Sequence, residues 1–363
     1  LDVPAFRRAF ERVVARHQVL RSSFAWDANR EPRQIVHRSA ELPWEEHDWR
    51  ELSSDEQERR LAELRRSSRR QDFDLSRPPL MRLTLIRRGI DVYEFMWGYH
   101  LMILDGWSVA VILGELVAVY EASVRGTRVD LGEPTPFRQY IDWLQRQDRS
   151  LAEQHWRRTL DGFATPTPLG EDRSTGNLPL GEETYRETVV TLEESESRAL
   201  QRFARTSRVT PNTVVQGTWA LYLARRSGLD DVLFGSVVAG RPVELAGIDT
   251  MVGLFINTLP VRVRIDAETP VAQWLSALQA QQAAARQYEY MPLIELQRWT
   301  DVPMGVLMFR SVLIFQNYPL KVSLSDGTRS LTMLAGTSVE RNSYPLTVVI
   351  EPGPRLLMRF VSD

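Results

Sequence analysis

Apolar and polar positions along this chain change period from block to block, which predicts a mixed succession of helices and strands. In residues 1–17, Phe6, Phe10, Val13 and Val14 share one helical face, with Asp2 as cap and Pro4 in the first turn. Short strands are predicted at 21–27 and 33–36, around an Asn29-Arg30-Glu31-Pro32 turn. Ser54-Asp55-Glu56-Gln57 reads as a capping box opening a helix to about Gln71, with a solvated face of arginines and glutamates. A strand at 81–87 turns at 88–91 into the apolar, aromatic run Val92–Ile103, which reads as a strand buried on both faces. Asp105-Gly106-Trp107-Ser108 stops that run. Asp105 or Ser108 can cap the next helix, whose Val109, Ile112, Leu113, Leu116 and Tyr120 fall at helical spacing. Further helices are predicted near 137–147 and 151–160.

Residues 164–181 are rich in Pro, Thr, Gly and Ser and follow neither period, so they read as a linker. Beyond them come a strand at 184–192, a helix at 194–207, and a helix from Thr210-Pro211 to Gly228. A strand at 232–238, loops at 239–242 and 251–257, a strand at 259–265 and a helix at 271–288 follow. Strands at 309–315 and 331–334 and a hairpin over 346–361 close the chain. The fold expectation is α/β, with one sandwich lobe over residues 1–163 and another over 182–363.

The length of 363 residues suits two lobes of ordinary size. The sequence reading finds no apolar run near the length of a membrane span and no signal-peptide pattern, so a cytoplasmic setting is expected. A net charge of −2 gives no reason to expect nucleic acid or an anionic membrane as partner. The absence of cysteine excludes thiolate nucleophiles, disulfides and cysteine metal sites. The histidines at 17, 37, 47, 100 and 155 show no metal-ligand spacing, so no metal is expected.

One place carries candidate chemistry: His100 at the end of a strand and Asp105 at the start of a helix. The open N–H groups of a helix N-terminus can receive the oxyanion that develops during acyl transfer. A structural histidine beside a capping aspartate accounts for the same residues, and the local pattern leaves both readings open.

Several segments taken together resemble the condensation domains of nonribosomal peptide synthetases. They are Val19-Leu20-Arg21 with Ser22-Ser23-Phe24, Phe73-Asp74-Leu75-Ser76-Arg77-Pro78-Pro79-Leu80, Asp105-Gly106-Trp107-Ser108, Gly240-Arg241-Pro242, residues 251–260, Ile314-Phe315-Gln316-Asn317-Tyr318-Pro319 and Tyr344-Pro345-Leu346-Thr347. The resemblance covers essentially the whole chain. It implies two chloramphenicol-acetyltransferase-like lobes forming a V-shaped pseudo-dimer, with crossover segments near 240–260 and 316–330 and a tunnel between the lobes. It implies peptide-bond formation in secondary-metabolite biosynthesis, by attack of an acceptor aminoacyl amine on a donor thioester. The implied partners are donor and acceptor peptidyl carrier proteins, which deliver substrates on phosphopantetheine, and an adjacent adenylation domain. No cofactor held by the domain itself is implied. A segment before Leu1 and a helix after Asp363 are also implied, as in a piece of a multidomain synthetase. The Asp-Gly-Trp-Ser ending and the segment Arg286–Leu293 point to the type that accepts L-configured donors.

The family core is H-H-x-x-x-D-G, and here it reads His100-Leu101-Met102-Ile103-Leu104-Asp105-Gly106. His100 matches the first histidine, and Leu101 stands at the second, catalytic one. Leucine neither accepts a proton nor hydrogen-bonds an amine. A general base is worth ~10²–10⁴-fold, whereas orientation supplies effective molarities of ~10⁵–10⁸ M, so the expectation is impaired activity, reduced or abolished, with slow condensation still physically open. The alternative is a non-catalytic, condensation-like domain that serves as a docking platform. The resemblance further implies an ion pair between Asp105 and Arg241, with a helix cap and a solvated arginine as the plainer reading. Gly106 is implied to let substrate approach the backbone. Trp107, Asn257, Gln316, Asn317 and Ser343 are implied to lie along the tunnel, and ordinary packing or turn roles suit each of them equally.

Overall fold

Helix ends fall where the chain supplies caps. The Asp2 carboxylate accepts the Ala5 N–H at 2.8 Å and opens α1 (Val3–Arg16). The computed structural model describes residues 1–26, 32–170, 186–316, 330–334, 336 and 344–362. After α1 come β1 (Ser22–Ala25), β2 (Arg33–Val36), β3 (Trp44–Asp48), α2 (Ser54–Arg70), β4 (Met81–Arg87), β5 (Tyr93–Tyr99), α3 (Gly106–Val124) and α4 (Arg138–Gln145). Then follow α5 (Arg149–Leu160), β6 (Arg186–Thr191), α6 (Glu194–Thr206), α7 (Pro211–Ser227), β7 (Asp231–Val238) and β8 (Asn257–Arg264). The chain closes with α8 (Val271–Arg286), α9 (Leu293–Gln297), β9 (Ser311–Phe315), β10 (Leu346–Glu351) and β11 (Leu357–Ser362). The cap of α2 is Ser53, which accepts the Glu56 N–H, one residue ahead of the capping box expected at Ser54.

Two compact units result, each mixing helices and strands. The first comprises Leu1–Gln145, Arg241–Phe255 and Tyr318–Ser338, and the second Arg146–Gly240, Ile256–Asn317 and Val339–Asp363. The division falls between Gln145 and Arg146, ahead of the Pro- and Gly-rich stretch at 164–181. The reason lies in α5. Its Trp156 is fully buried in the second unit's core, and the Arg262 guanidinium donates to the carbonyl of Asp161 at 2.6 Å while gripping Asp231 at 2.7 Å.

In the first unit β4 lies between β3, parallel to it, and β5, antiparallel to it. The deeply buried strand is β4, not β5. Every residue of β5 is half-buried, which corrects the two-sided burial read from its apolar run. Phe95, Trp97 and Tyr99 face the main core, while Met96 packs with Leu61 and Ile86 on the opposite side. The strand ends at Tyr99, and residues 100–103 form a turn. β3 went unread because Trp44-Glu45-Glu46-His47-Asp48 is an edge strand of acidic, largely exposed residues without a period.

Helix α3 is long and apolar enough to cross a membrane by length and composition, which corrects the sequence reading that found no such run. Its apolar residues belong to a core. Ile112, Leu116, Val119 and Tyr120 are buried against Phe6, Phe10 and Val13 of α1. Its Glu115 carboxylate meets His17 Nε2 at 2.6 Å and Arg16 Nε at 3.1 Å, and Glu121 accepts from Ser330. The Tyr120 hydroxyl accepts the Asp2 N–H at 2.9 Å.

The second unit is built on a six-stranded sheet ordered β6-β11-β10-β9-β7-β8. Alternation along β7 sorts its side chains to two cores. Leu233 packs with Trp156, Leu160 and Phe309, while Val232 and Phe234 pack with Trp219, Leu223 and Leu278 of α7 and α8. Residues 331–334, expected as a strand, have no regular structure.

Glu115 sits part-buried in the seam between α1 and α3 with Arg16 and His17 against it, which makes the seam testable. Glu115→Ala leaves Arg16 and His17 without their carboxylate and should cost roughly 3–5 kcal/mol in urea unfolding. A loss under about 1 kcal/mol, the range of an exposed pair, would show that this seam does not hold α3.

Candidate functional site

The chain leaves β5 still registered with β4, because the His100 N–H donates to the Leu80 carbonyl at 2.9 Å. It then turns tightly. The His100 carbonyl accepts the Ile103 N–H at 3.1 Å, and His100 Nδ1 accepts the Met102 N–H at 3.1 Å. Leu101 is the second residue of this turn. Its side chain is 38% exposed, whereas Ile103 and Leu104 are fully buried and anchor the far end. Leu101 therefore adds little to the core. Burial holds the His100 pKa below its ordinary value, so the ring is neutral at pH 7.

Asp105 follows, 1% exposed. Its Oδ1 accepts the Ser108 N–H at 2.8 Å, which makes it the cap of α3, and its Oδ2 accepts the Phe255 N–H at 3.0 Å. Arg241 Nη2 stands 3.3 Å from Oδ1, and both side chains are withdrawn from solvent. The same Nη2 donates to Ser108 Oγ at 2.9 Å. Ser108 Oγ also accepts the Gly253 N–H at 3.0 Å and donates to the Gly253 carbonyl at 2.8 Å. Arg241 Nη1 reaches the carbonyls of Ile248 and Met251 at 2.5 and 3.0 Å, and its guanidinium lies 3.9 Å from the centre of the Phe255 ring. Burial pulls the Arg241 pKa down and the Asp105 carboxylate opposes this; the guanidinium stays charged.

Arg241–Phe255 thus wraps the N-terminus of α3, although β7 before it and β8 after it belong to the second unit. Gly240 leads in with φ +61°, a left-handed backbone that favours glycine. At Gly253 a Cβ would lie 2.1 Å from the Phe137 ring, so only glycine allows this close approach. Trp107 lies over the segment, its Nε1 donating to the Asp249 carbonyl at 2.9 Å.

His100, Leu101, Asp105, Gly106, Trp107 and Arg241 therefore all lie in the first unit. Gly106 is the first residue of α3, and the N–H groups of Gly106 and Trp107 meet no protein acceptor among the described residues. Asn257 and Gln316 lie in the second unit. The Asn257 amide donates to the Glu289 and Met291 carbonyls at 2.7 Å each, and the Gln316 N–H extends the β9–β10 pairing through the Ile350 carbonyl. Asn317 and Ser343 lie outside the described residues. Ser108 was visible in the sequence only as an alternative cap. Its position as the third residue of a helix capped by Asp105 aims its hydroxyl where a second segment can bind it. Phe255 lies within the segment 251–260 that carries the resemblance, but nothing in its residue type marked its backbone N–H as a partner of Asp105.

Asp105→Asn removes the charge that Arg241 faces and should lower stability by roughly 3–5 kcal/mol. Replacing Arg241 by Met in the same chain should return part of that loss in chemical denaturation, because no buried charge is then left alone. Additive losses would mean that the two groups do not interact.

A pH prediction comes from the histidines. His100 and His155 both have pKa values lowered by burial, with Arg158 a second cause for His155. The unfolded chain binds these protons at a higher pH than the folded one, so stability should fall as pH drops below 6.5. His100→Gln should make that fall in melting temperature shallower, and an unchanged slope would show that His100 does not contribute.

Comparison with known proteins bears on the family and the fold. The family pattern described as "Condensation domain" matches residues 1–361. The chain is 43% identical over 362 residues to a linear gramicidin synthase of Brevibacillus parabrevis, covering 99% of this chain and 5% of that protein. It is 39% identical over 363 residues to chondramide synthase cmdD of Chondromyces crocatus, covering 100% of this chain and 9% of that protein. The chain thus spans less than a tenth of the length of these relatives. Among solved structures, the starter condensation domain of rhizomide synthetase, an arginine-to-alanine mutant in complex with C8-CoA, superposes with a TM-score of 0.81 at 19% identity. That match covers 100% of this chain and 81% of the other. The X-domain from teicoplanin biosynthesis also superposes with a TM-score of 0.81, at 22% identity, covering 100% of this chain and 82% of the other. At such identities the likeness is one of fold, and with the match over residues 1–361 it leads to one conclusion: the chain belongs to the condensation-domain family.

Proposed function

We propose that this chain forms an amide bond between two carrier-bound substrates within a nonribosomal peptide synthetase. The α-amine of an acceptor aminoacyl group attacks the carbonyl of a donor thioester. The C–N bond forms, the C–S bond breaks, and the sulfur leaves as a thiol after taking up the proton the amine gives up. Donor and acceptor peptidyl carrier proteins present both groups on phosphopantetheine, next to an adenylation domain and in the cytoplasm. The family match over residues 1–361 is the observation that carries this reading. Relatives named as gramicidin and chondramide synthases support the setting.

In this reading Asp105 does not move protons. Its oxygens face three donors, the N–H groups of Ser108 and Phe255 and the guanidinium of Arg241, and it is shut away from solvent. Its role is to hold the start of α3 against the segment 241–255. The free N–H groups of Gly106 and Trp107 suit an oxyanion. Leu101 stands at the position of the second family histidine and supplies no base. Catalysis then rests on holding amine and thioester together, an effect larger than that of a general base. A model α-amine with a pKa of roughly 7.7–8.0 is partly neutral near pH 7, so attack does not wait on a base.

The test restores the side chain. Leu101→His should raise the single-turnover rate with loaded donor and acceptor carriers by ~10²–10⁴-fold, with carrier affinity unchanged. No product from that variant while both carriers bind would rule out amide formation and leave a docking role.

A further inference from the structure

The turn that carries residue 101 is braced from outside the family core, by Phe73 in the stretch between α2 and β4 and by Arg82, the second residue of β4. Phe73 meets the His100 ring edge-on, with centroids 6.1 Å apart and planes at 89°. The Arg82 guanidinium lies 4.0 Å from the Phe73 ring centre, within cation–π range. Arg82 is itself fixed at the C-terminal end of α2, where its Nη1 donates to the Gln71 carbonyl at 2.8 Å and its Nη2 to the Asp72 carbonyl at 2.5 Å. The β4–β5 register pairs Arg82 with Gly98, two residues before His100, so the brace stands beside the turn by strand pairing alone.

The turn itself fixes the histidine's chemistry. A backbone N–H can only donate, so the Met102 N–H at His100 Nδ1 makes Nδ1 an acceptor and puts the ring proton on Nε2. Swinging the ring would break this bond, and Phe73 blocks that movement on one side. Nε2 has no protein partner among the described residues and is not sealed from solvent. With its side chain and its carbonyl both accepting N–H groups of the turn, His100 sets the direction in which residue 101 projects.

We propose that Arg82 and Phe73 are positioning residues: they hold His100 as the Nε2–H tautomer and thereby fix the turn from which residue 101 faces the substrates. The second half of this inference rests on the acyl-transfer reading, and the first does not. Holding reacting groups to within an ångström is worth on the order of 10²-fold in rate, which is the scale such a brace can control.

Long-range ¹H–¹⁵N correlation spectra of the ¹⁵N-histidine-labelled chain test the first half. His100, assigned through His100→Gln, should show a protonated Nε2 and an unprotonated, hydrogen-bonded Nδ1. Phe73→Leu and Arg82→Met should each convert this to a mixture of tautomers, and Phe73→Tyr should restore the single form. A protonated Nδ1, or His100 signals unmoved by both variants, overturns the brace. For the second half, Phe73→Leu placed in the Leu101→His chain should lower kcat by about tenfold or more with KM unchanged. An unchanged kcat alongside altered tautomers overturns the positioning role. Absence of product from every Leu101→His chain with normal spectra would count against the acyl-transfer reading and not against the brace.

Discussion

A buried charge has to be answered, and in the first unit the answer organises the fold. The Asp105 carboxylate and the Arg241 guanidinium are both withdrawn from water, where an isolated charge costs several kcal/mol. The pair survives because nearly every polar position around it is met. Two backbone N–H groups reach the carboxylate, two carbonyls and the Ser108 hydroxyl receive the guanidinium, and the Phe255 ring covers its face. Satisfying those groups dictates where Arg241–Phe255 must run, and it dictates glycine at position 253, where the Phe137 ring leaves no room for a side chain. The start of α3 is fixed from the same point, and the turn at 100–103 hangs between that start and the end of β5.

The consequence for chemistry is a division of labour. The most polar cluster in the neighbourhood is closed and structural, with its acceptors and donors committed to one another except for the Arg241 Nε–H, which is buried without a partner among the described residues. What faces outward is a leucine and the Nε2 edge of a neutral histidine. A site built this way is suited to orienting reactants rather than to exchanging protons with them. That fits the proposed amide formation, in which the nucleophile is a free amine and the leaving group a thiol.

How much of this was legible in the sequence follows from how local each cause is. Caps, helical faces and the β4–β5 hairpin depend on neighbours along the chain, so Asp2, Thr210 and the turn at 88–91 could be read directly. Edge strands could not, because β3 pairs through its backbone and shows no apolar period. The burial of β5 was overread for a related reason: aromatic residues keep a strand apolar even where it lies at an edge among the described residues. In the site, Asp105 and Arg241 were readable as a pair only through the family resemblance, since 136 positions separate them. Ser108, Phe255 and the Phe73–Arg82 brace depend on segments that meet only in the folded chain. No period or spacing announces them.

In the proposed reaction this turn promotes acyl transfer by position, without a side-chain base at residue 101. The direct measurement is the pH dependence of single-turnover product formation by the unaltered chain with both carriers loaded. Slow but real product is expected, with a rate that climbs with pH until the acceptor amine is neutral, near an apparent pKa of about 7.7–8.0. A rate that instead levels off at or below the ordinary imidazole pKa of about 6.5 would show that a histidine base acts after all, and no product at any pH would contradict the positional reading outright.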